Sequence, residues 1–129
     1  SNPDAVEIEA LRARAWQVVK PHYLARLTVL LELFGVAEAK DLGNGDLARA
    51  MRAMVAGRIA TLLVEADRQI PGRVDAATGG IEFDELAQPT VDDLLDDLGE
   101  RVLKAGGQVV IVPSDAMPTR TGLAAIYRF

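Results

Sequence analysis

The sequence predicts an α/β domain of three layers, in which helices cover both faces of a mixed central sheet and further helices precede it. Two short, nearly continuous apolar runs, residues 58–65 and 109–112, are typical of strands that are buried on both faces. A helical pattern over 91–105 lies between them, which predicts a strand-helix-strand unit. A third apolar run, 123–129, predicts a closing strand.

The first part of the chain has the pattern of helices. Residues 4–20 place apolar side chains at helical spacing between charged ones. Pro21 predicts a kink or a restart, because proline lacks an amide donor and crowds the preceding turn. A second helix or a continuation follows it up to the breaker cluster 43–45. Asp46 is the predicted cap of a further helix over 47–56.

The pattern divides the chain at residue 45. We expect residues 1–45 to form a helical segment that connects to an upstream domain missing from this sequence, and residues 46–129 to form the α/β domain. The stretch 66–90 is rich in Pro, Gly, Asp and Thr, and residues 77–80 are the predicted tip of a small hairpin within it. Thr90 is then the predicted cap of the helix over 91–105.

Composition excludes several classes of function. The 129 residues include no cysteine, so there is no disulfide, thiol nucleophile or thiolate metal site, which fits a cytoplasmic location. No apolar run has the length of a membrane helix. The net charge of −5 is uneven, since residues 66–129 carry 6 basic and 11 acidic side chains. We therefore expect a protein partner rather than direct nucleic-acid binding.

The tripeptide Gly106-Gly107-Gln108 is the one that class I peptide-release factors use to hydrolyse peptidyl-tRNA. Here a helix precedes it, and a helix end needs residues that tolerate left-handed backbone angles. Gln108 leads directly into four β-branched residues, which predict a buried strand. A catalytic glutamine would need an exposed loop on both sides. The context therefore predicts a helix-to-strand turn and no catalytic residue.

Acidic side chains recur at intervals of three and four along the predicted helix 91–105: Asp92, Asp93, Asp96, Asp97 and Glu100. Such a face could hold Mg²⁺ or Ca²⁺ through oxygen ligands, but the favoured interpretation is a solvated acidic face. Asp92 and Asp93 fall in the predicted first turn, where they would offset the helix dipole. Asp97 can pair with Arg101 four residues on. We expect this face to be part of an interaction surface.

Three arginines lie in predicted loops beside Gly or Pro, namely Arg68, Arg73 and Arg120. A guanidinium there could grip a carboxylate or a phosphate, although loop solubility is the simpler interpretation. His22, the one histidine, has no evident partner for acid–base chemistry. No glycine loop has the spacing that cradles a nucleotide. The sequence therefore predicts no cofactor.

Three stretches together resemble the third, C-terminal domain of the archaeo-eukaryotic class I release factors and Pelota, and most of all their bacterial relatives. They are "GRIATLLVEAD" (57–67), "LLDDLGERVLKAGGQVVIVPSD" (94–115) and "TGLAAIYRF" (121–129). The last stretch is similar to the family signature at the chain end, with a basic residue before a terminal aromatic. The resemblance covers about residues 46–129, and the insertion 66–90 departs from the eukaryotic pattern.

The resemblance implies an α/β/α sandwich similar to ribosomal proteins that bind kink-turn RNA. In release factors this domain contacts a translational GTPase or an ATPase recycling factor, whereas stop-codon reading and peptidyl-tRNA hydrolysis belong to the other two domains. The implied function is a non-catalytic interaction domain that acts with the ribosome or a translation factor in termination, rescue or dormancy. Its expected contact surfaces are the acidic helix and the loops 66–90 and 114–121.

Two other functions stay open from the residues. One is an enzymatic or small-ligand domain that uses the loop arginines near the sheet ends, where open α/β sheets place their ligands. The other is RNA binding through the kink-turn type of fold, against which the charge balance argues. The leading helices could also mediate a homo-oligomer.

Overall fold

The structure is a computed structural model of the chain; it describes residues 3–74, 77–83 and 93–129, and their side chains within 5–72, 77–81 and 93–129. The helices are α1 (Pro3–Ala39), α2 (Leu47–Val55) and α3 (Leu94–Lys104), with a 3-10 turn at Ser114–Ala116. The strands are β1 (Gly43–Asn44), β2 (Ile59–Glu65), β3 (Gly72–Val74), β4 (Ile81–Phe83), β5 (Gln108–Val112) and β6 (Leu123–Tyr127).

Helix α1 runs through Pro21 without interruption, so the predicted restart is wrong and the predicted continuation is confirmed. Pro21 has no amide hydrogen to donate to the carbonyl of Gln17, which removes one hydrogen bond from the helix. The side chain of His22 is exposed on this helix. No helix within the described residues combines the length and the apolar character that a membrane crossing requires.

Contacts between Cα atoms divide the chain into two compact units, Ser1–Leu33 and Phe34–Phe129. The second unit begins earlier than residue 46, where the sequence pattern places the α/β domain. Phe34 and Ala37 are buried in the second unit, and the amide of Leu42 donates to the carbonyl of Ala37 at 2.8 Å. The expected connection to an upstream domain stays a prediction.

Four strands form the main sheet in the order β1, β6, β2, β5. β2 pairs with β5 in parallel, and β6 pairs antiparallel with both β1 and β2. The predicted mixed sheet is confirmed, and the apolar run at 58–65 is the central strand that it indicates. The sequence does not predict β1, because Gly43 and Asn44 have the composition of a breaker and pair only once β6 lies beside them.

A β-bulge lies near the start of β2. Ile59 pairs with Tyr127 and Thr61 pairs with Ile126, so Ala60 is an extra residue opposite the regular strand β6. A bulge shifts the alternation of side chains by one position. Ile59 therefore points to the same face of the sheet as the even-numbered residues that follow it.

The main core lies between this face of the sheet and helices α2 and α3. Its fully buried side chains are Ala50, Met51, Leu62, Leu94, Leu98, Leu123 and Ala125. Each large apolar side chain among them contributes about 1.5–3 kcal/mol of burial free energy. Leu63 and Ala124, whose side chains point to the opposite face, are also fully buried. Both faces of the central strands are thus covered, as a layered α/β domain requires.

The cap of helix α2 is the one that the sequence predicts. The carboxylate of Asp46 accepts a hydrogen bond from the amide of Arg49 at 3.2 Å. The helix ends at Val55 with Ala56 as its C-terminal cap, and Gly57 follows in the left-handed region at φ 68°. Glycine adopts that conformation without a steric penalty, so the chain can turn directly into β2.

Helix α3 begins later than predicted, at Leu94, with Asp93 as its cap. The carboxylate of Asp93 accepts hydrogen bonds from the amides of Leu95 at 3.1 Å and Ile70 at 2.8 Å. Asp93 is therefore not a first-turn residue, and it caps the helix in place of Thr90, which lies outside the described residues.

The helix-to-strand turn at Gly106-Gly107-Gln108 is confirmed. Gly106 follows the end of α3 at φ 85°. A Cβ atom on Gly107 would lie 2.6 Å from a methyl of Val102 and 2.8 Å from the carbonyl oxygen of Ile59. Gln108 then starts β5. Both glycines are thus explained by backbone geometry and close packing.

Strand β5 is an edge strand of the main sheet, with a neighbouring strand on one side only. Its side chains are therefore less covered than those of a central strand, and the predicted burial of all four β-branched residues is wrong. Val112 is fully buried, whereas Ile111 is 55% exposed and Val109 and Val110 are half-buried. β-branched residues favour the extended backbone of any strand, so a run of them in the sequence does not show whether the strand is central or at the edge of the sheet.

The predicted hairpin within 66–90 is confirmed. Strands β3 and β4 pair antiparallel, with Gly72 opposite Phe83 and Val74 opposite Ile81. Residues 77–80 precede β4, as predicted for the tip. Pro71 forms an isolated bridge with Asp93, so the start of the hairpin lies beside the start of α3.

Candidate functional site

A cleft opens at one end of the main sheet, at the carboxyl ends of the parallel strands β2 and β5. This carboxyl-end cleft has a volume of about 290 Å³ and is lined by residues 64–69 together with Asp93, Asp96 and Ile111. It lies where open α/β sheets commonly bind ligands. The cleft brings together three of the predicted site residues, Arg68, Asp93 and Asp96.

Arg68 connects two loops at this cleft. Its guanidinium donates to the carboxylate of Glu65 at 3.4 Å and to the carbonyl of Arg120 at 3.3 Å. A Cβ atom on Gly122, which has φ 94°, would lie 3.2 Å from Cγ of Arg68. Arg68 is therefore held by the chain itself. Arg120 meets it through the backbone, and the Arg120 side chain is exposed.

The acidic face of α3 is largely paired with basic side chains of the same helix. Asp97 accepts from Arg101 at 3.1 Å, which confirms the predicted pair, and Glu100 lies 3.0 Å from Lys104. The hydrogen bond and positive charge of Lys104 lower the pKa of Glu100. Asp96 is exposed.

Two of the predicted site residues cannot be placed at the cleft. Asp92 lies outside the described residues, and Arg73 belongs to β3, where the structure describes the backbone alone. Across the parts of the chain that are described, no group of three or more carboxylate or imidazole side chains is placed to hold a metal ion.

A second cavity lies at the opposite end of the sheet, where β2 begins and β6 ends. The sequence does not predict it. This arginine pocket has a volume of about 290 Å³ and is lined by Arg49, Arg52, Ala53, Arg58 and Tyr127. Two arginines come from one face of α2, because residues three apart are neighbours on a helix. The third arginine, Arg58, directly precedes β2, and Tyr127 is the last residue of the antiparallel strand β6. Both therefore lie at the same end of the sheet.

Arg58 is the fixed member of the arginine pocket. Its Nε donates to the carbonyl of Phe129 at 3.0 Å, and Nη2 donates to the same oxygen. The guanidinium carbon lies 5.7 Å from the ring centroid of Tyr127 and 5.4 Å from that of Phe129, within the range of cation–π attraction. A guanidinium has five N–H donors, so some remain for another group.

The other two arginines are held weakly. Arg49 lies 3.3 Å from Asp41 in a surface ion pair, with the Asp41 side chain 83% exposed. Exposed pairs of this kind are worth about 0–1 kcal/mol. Arg52 is exposed, and within the described residues no hydrogen bond or ion pair engages its guanidinium.

Tyr127 forms the polar end of the arginine pocket on the sheet side. Its hydroxyl donates to Oδ1 of Asn44 at 2.9 Å. Burial raises the pKa of Tyr127 above the ordinary tyrosine value, although the positive charges of Arg49 and Arg58 act in the opposite direction. The tyrosine is therefore neutral and serves as a hydrogen-bonding group near pH 7.

The structure is similar to several solved translation proteins. The C-terminal domain of a peptide chain release factor from Methanosarcina mazei aligns with a TM-score of 0.66 and 16% identity, covering 100% of this chain and 96% of that one. Pelota from Archaeoglobus fulgidus aligns with a TM-score of 0.59 and 21% identity, covering 95% of this chain and 35% of that one. Dom34 from S. cerevisiae aligns with a TM-score of 0.59 and 17% identity, covering 100% and 31%.

The chain thus spans about a third of the length of Pelota and Dom34. No protein-family model matches the chain, and no curated protein matches it. The likeness lies in the fold, since the sequence identities are low. The chain has the fold of the C-terminal domain of the release factors and Pelota.

Proposed function

We propose that this chain is a non-catalytic protein-interaction domain of a release-factor-like protein, acting with the ribosome or a translation factor in termination, rescue or dormancy. The observation that carries the proposal is the fold match over the whole chain with a release-factor domain that is itself a C-terminal module. A fold match does not fix a function, so the surfaces must support it separately.

The local structure around Gln108 supports a role other than peptidyl-tRNA hydrolysis. Gln108 is half-buried at the start of β5, where it pairs with Thr61 of the central strand. Gly107 packs against the backbone of Ile59. A catalytic loop that enters a ribosomal active centre would have to protrude, and this tripeptide forms the short turn between the end of α3 and the start of β5.

The name of one structural neighbour supports a protein partner. Dom34 is described as a translation termination-like factor that interacts with Hbs1. By analogy, we expect this chain to bind a translation factor. The structural neighbours named above are archaeal and eukaryotic, so the predicted bacterial origin stays a prediction, as do the cytoplasmic location and self-association through α1.

Binding to purified ribosomes and to translational GTPases tests this function. The tagged chain is centrifuged with ribosomes through a sucrose cushion and, separately, titrated with each GTPase in its GDP and GTP forms. We expect saturable binding to at least one of these. The absence of binding to all of them, together with no binding to the recycling ATPase, would remove the translation role.

The small-ligand alternative has its own test at the carboxyl-end cleft. Arg68 makes its bonds to Glu65 and to the carbonyl of Arg120 through Nη1, so its Nη2 and Nε donors are the ones that a ligand there would meet. A thermal-shift screen of small anions and metabolites should give no concentration-dependent rise in the melting temperature that depends on Arg68. A saturable rise that is lost in Arg68→Ala would favour the alternative, because a ligand stabilises the state that it binds.

A further inference from the structure

We infer that the arginine pocket binds one carboxylate side chain of a protein partner. This inference rests on the proposed role as a protein-interaction domain, and it assigns a place and a chemistry to the contact. Arg49, Arg52, Arg58 and Tyr127 line the pocket. A guanidinium presents paired donors that match the two oxygens of a carboxylate, which makes such contacts strong and directional.

The pocket is partly organised before a ligand arrives. Arg58 is fixed by the Phe129 carbonyl and by two aromatic rings, so little side-chain entropy is lost when it binds another group. Arg49 can exchange its exposed partner Asp41 for a ligand at small cost. Arg52 has no partner to give up within the described residues.

The size and charge of the pocket favour a carboxylate over a nucleic acid. A cavity of about 290 Å³ is at the small end of ligand sites and suits a single side chain. Nucleic-acid binding gains affinity with each phosphate that a basic side chain neutralises, and three arginines can neutralise few of them.

The residue types in and beside the arginine pocket are those that are common in protein interfaces. Arginine, tyrosine and tryptophan are enriched among the residues that carry binding energy between proteins. Phe129 is 68% exposed beside Arg58, and Tyr127 forms the wall of the pocket. An apolar contact on Phe129 next to a charged contact in the pocket would suit an acidic segment that also carries an apolar residue.

The first test uses defined probes on the whole chain. The probes are an end-blocked peptide of three glutamates followed by a leucine, inorganic phosphate, and a single-stranded RNA of ten nucleotides. Binding is followed through the Nε–H signals of Arg52 and Arg58 by NMR. We expect these signals to shift with saturation by the peptide. Tighter binding of phosphate than of the peptide, or saturation by the RNA alone, would overturn the inference.

Variants separate recognition from general charge. We expect Arg52→Glu to weaken peptide binding at least about tenfold. Arg52→Lys keeps the charge but loses the paired donors, so we expect a weakening of about threefold or more. The matched control is Arg26→Glu, which makes the same charge change on the exposed face of α1. Equal losses in Arg52→Glu and Arg26→Glu would show that net charge alone attracts the peptide.

The second test separates this inference from the proposed function. The wild-type chain and Arg52→Glu are compared in binding to the ribosome and to the translational GTPases. If the wild type binds and the variant binds at least about tenfold more weakly, the inference is supported. If both bind equally well, the proposed function stands and the inference that the arginine pocket contacts the partner is wrong. If neither binds, the proposed function fails, and the peptide titration alone decides whether the pocket is a carboxylate site.

Discussion

The two sites lie at opposite ends of the strands of the main sheet, and they differ in how many of their charged side chains already bond to other groups of the chain. At the carboxyl-end cleft, Arg68 bonds to Glu65 and to a backbone carbonyl, and Asp93 accepts two backbone amides. At the arginine pocket, Arg58 is held by Phe129, whereas Arg52 has no partner within the described residues and Arg49 has only an exposed one. A charged residue beside a sheet edge is therefore not by itself a free binding group.

The difference follows from what surrounds each set of charges. The cleft lies among loops and at the start of a helix, where backbone amides and carbonyls lack regular partners and recruit side chains. The arginines of α2 project from a helix whose own backbone bonds are made. Their guanidinium groups are left for solvent or for a ligand.

The strongest test of this contrast is Asp93→Ala. The change leaves the amides of Leu95 and Ile70 without their acceptor, and it removes the cap of α3. We expect the free energy of unfolding to fall by about 2 kcal/mol, measured by urea denaturation. The matched control is Asp96→Ala, an exposed carboxylate three residues on, which should change it by less than about 0.5 kcal/mol. Similar losses in both variants would contradict a structural role confined to Asp93.

A smaller effect is expected for Arg68→Ala. The variant loses the bonds to Glu65 and to the Arg120 carbonyl, but the side chain is 39% exposed and water replaces part of what is lost. We expect a fall of about 1 kcal/mol in the free energy of unfolding. The loop around Arg120 should also show faster amide exchange than in the wild type. Unchanged exchange in that loop would mean that Arg68 does not hold it.

The pH dependence of stability probes Tyr127 at the other edge. Its pKa is raised in the folded state, so the folded chain holds the proton more firmly than the unfolded chain. The resulting stabilisation is complete below the ordinary tyrosine pKa of about 10 and is lost as the pH rises through the folded value. Relative to Tyr127→Phe, the wild type should lose stability above about pH 10.

Tyrosinate absorbance checks the direction of this shift. In Tyr23→Phe the remaining tyrosine is Tyr127, since the chain has two. Its titration midpoint should lie above the ordinary value. A midpoint below it would show that the positive charges of Arg49 and Arg58 outweigh burial. A carboxylate bound in the pocket would neutralise those charges and raise the midpoint further.

The smallest effect is expected for Arg52→Ala. Because no hydrogen bond or ion pair within the described part of the chain uses this guanidinium, its removal should change the free energy of unfolding by less than about 0.5 kcal/mol. The same urea denaturation series measures it. A loss comparable to that of Asp93→Ala would mean that the arginine pocket is as much a structural device as the cleft.

Local patterns in the sequence predict the elements that are specified locally. The apolar run at 58–65, the apolar stripe of α3 and the glycines after it each contain their own signal, and each is found. The two-residue strand β1 is missed because its pairing is supplied by β6, more than eighty positions away. The edge position of β5 is missed for the same reason.

The candidate sites were harder to predict than the elements. Clustered carboxylates indicate an acidic face, but their spacing does not reveal that Asp93 serves the amide of Ile70. The arginine pocket joins two residues of α2 with Arg58 and Tyr127, and none of these is unusual alone. The spacing of Arg49 and Arg52 on one helical face was the available signal, and such pairs are common on solvated helices.

The extra residue Ala60 makes the start of β2 tolerant of a change in chain length. If Ala60 were deleted, Ile59 would directly precede Thr61 in regular alternation, and it would keep both its place opposite Tyr127 and its orientation toward the apolar core. Arg58, which precedes Ile59, would then stay beside Tyr127. The bulge is therefore a position at which the chain can shorten by one residue without moving the arginine pocket.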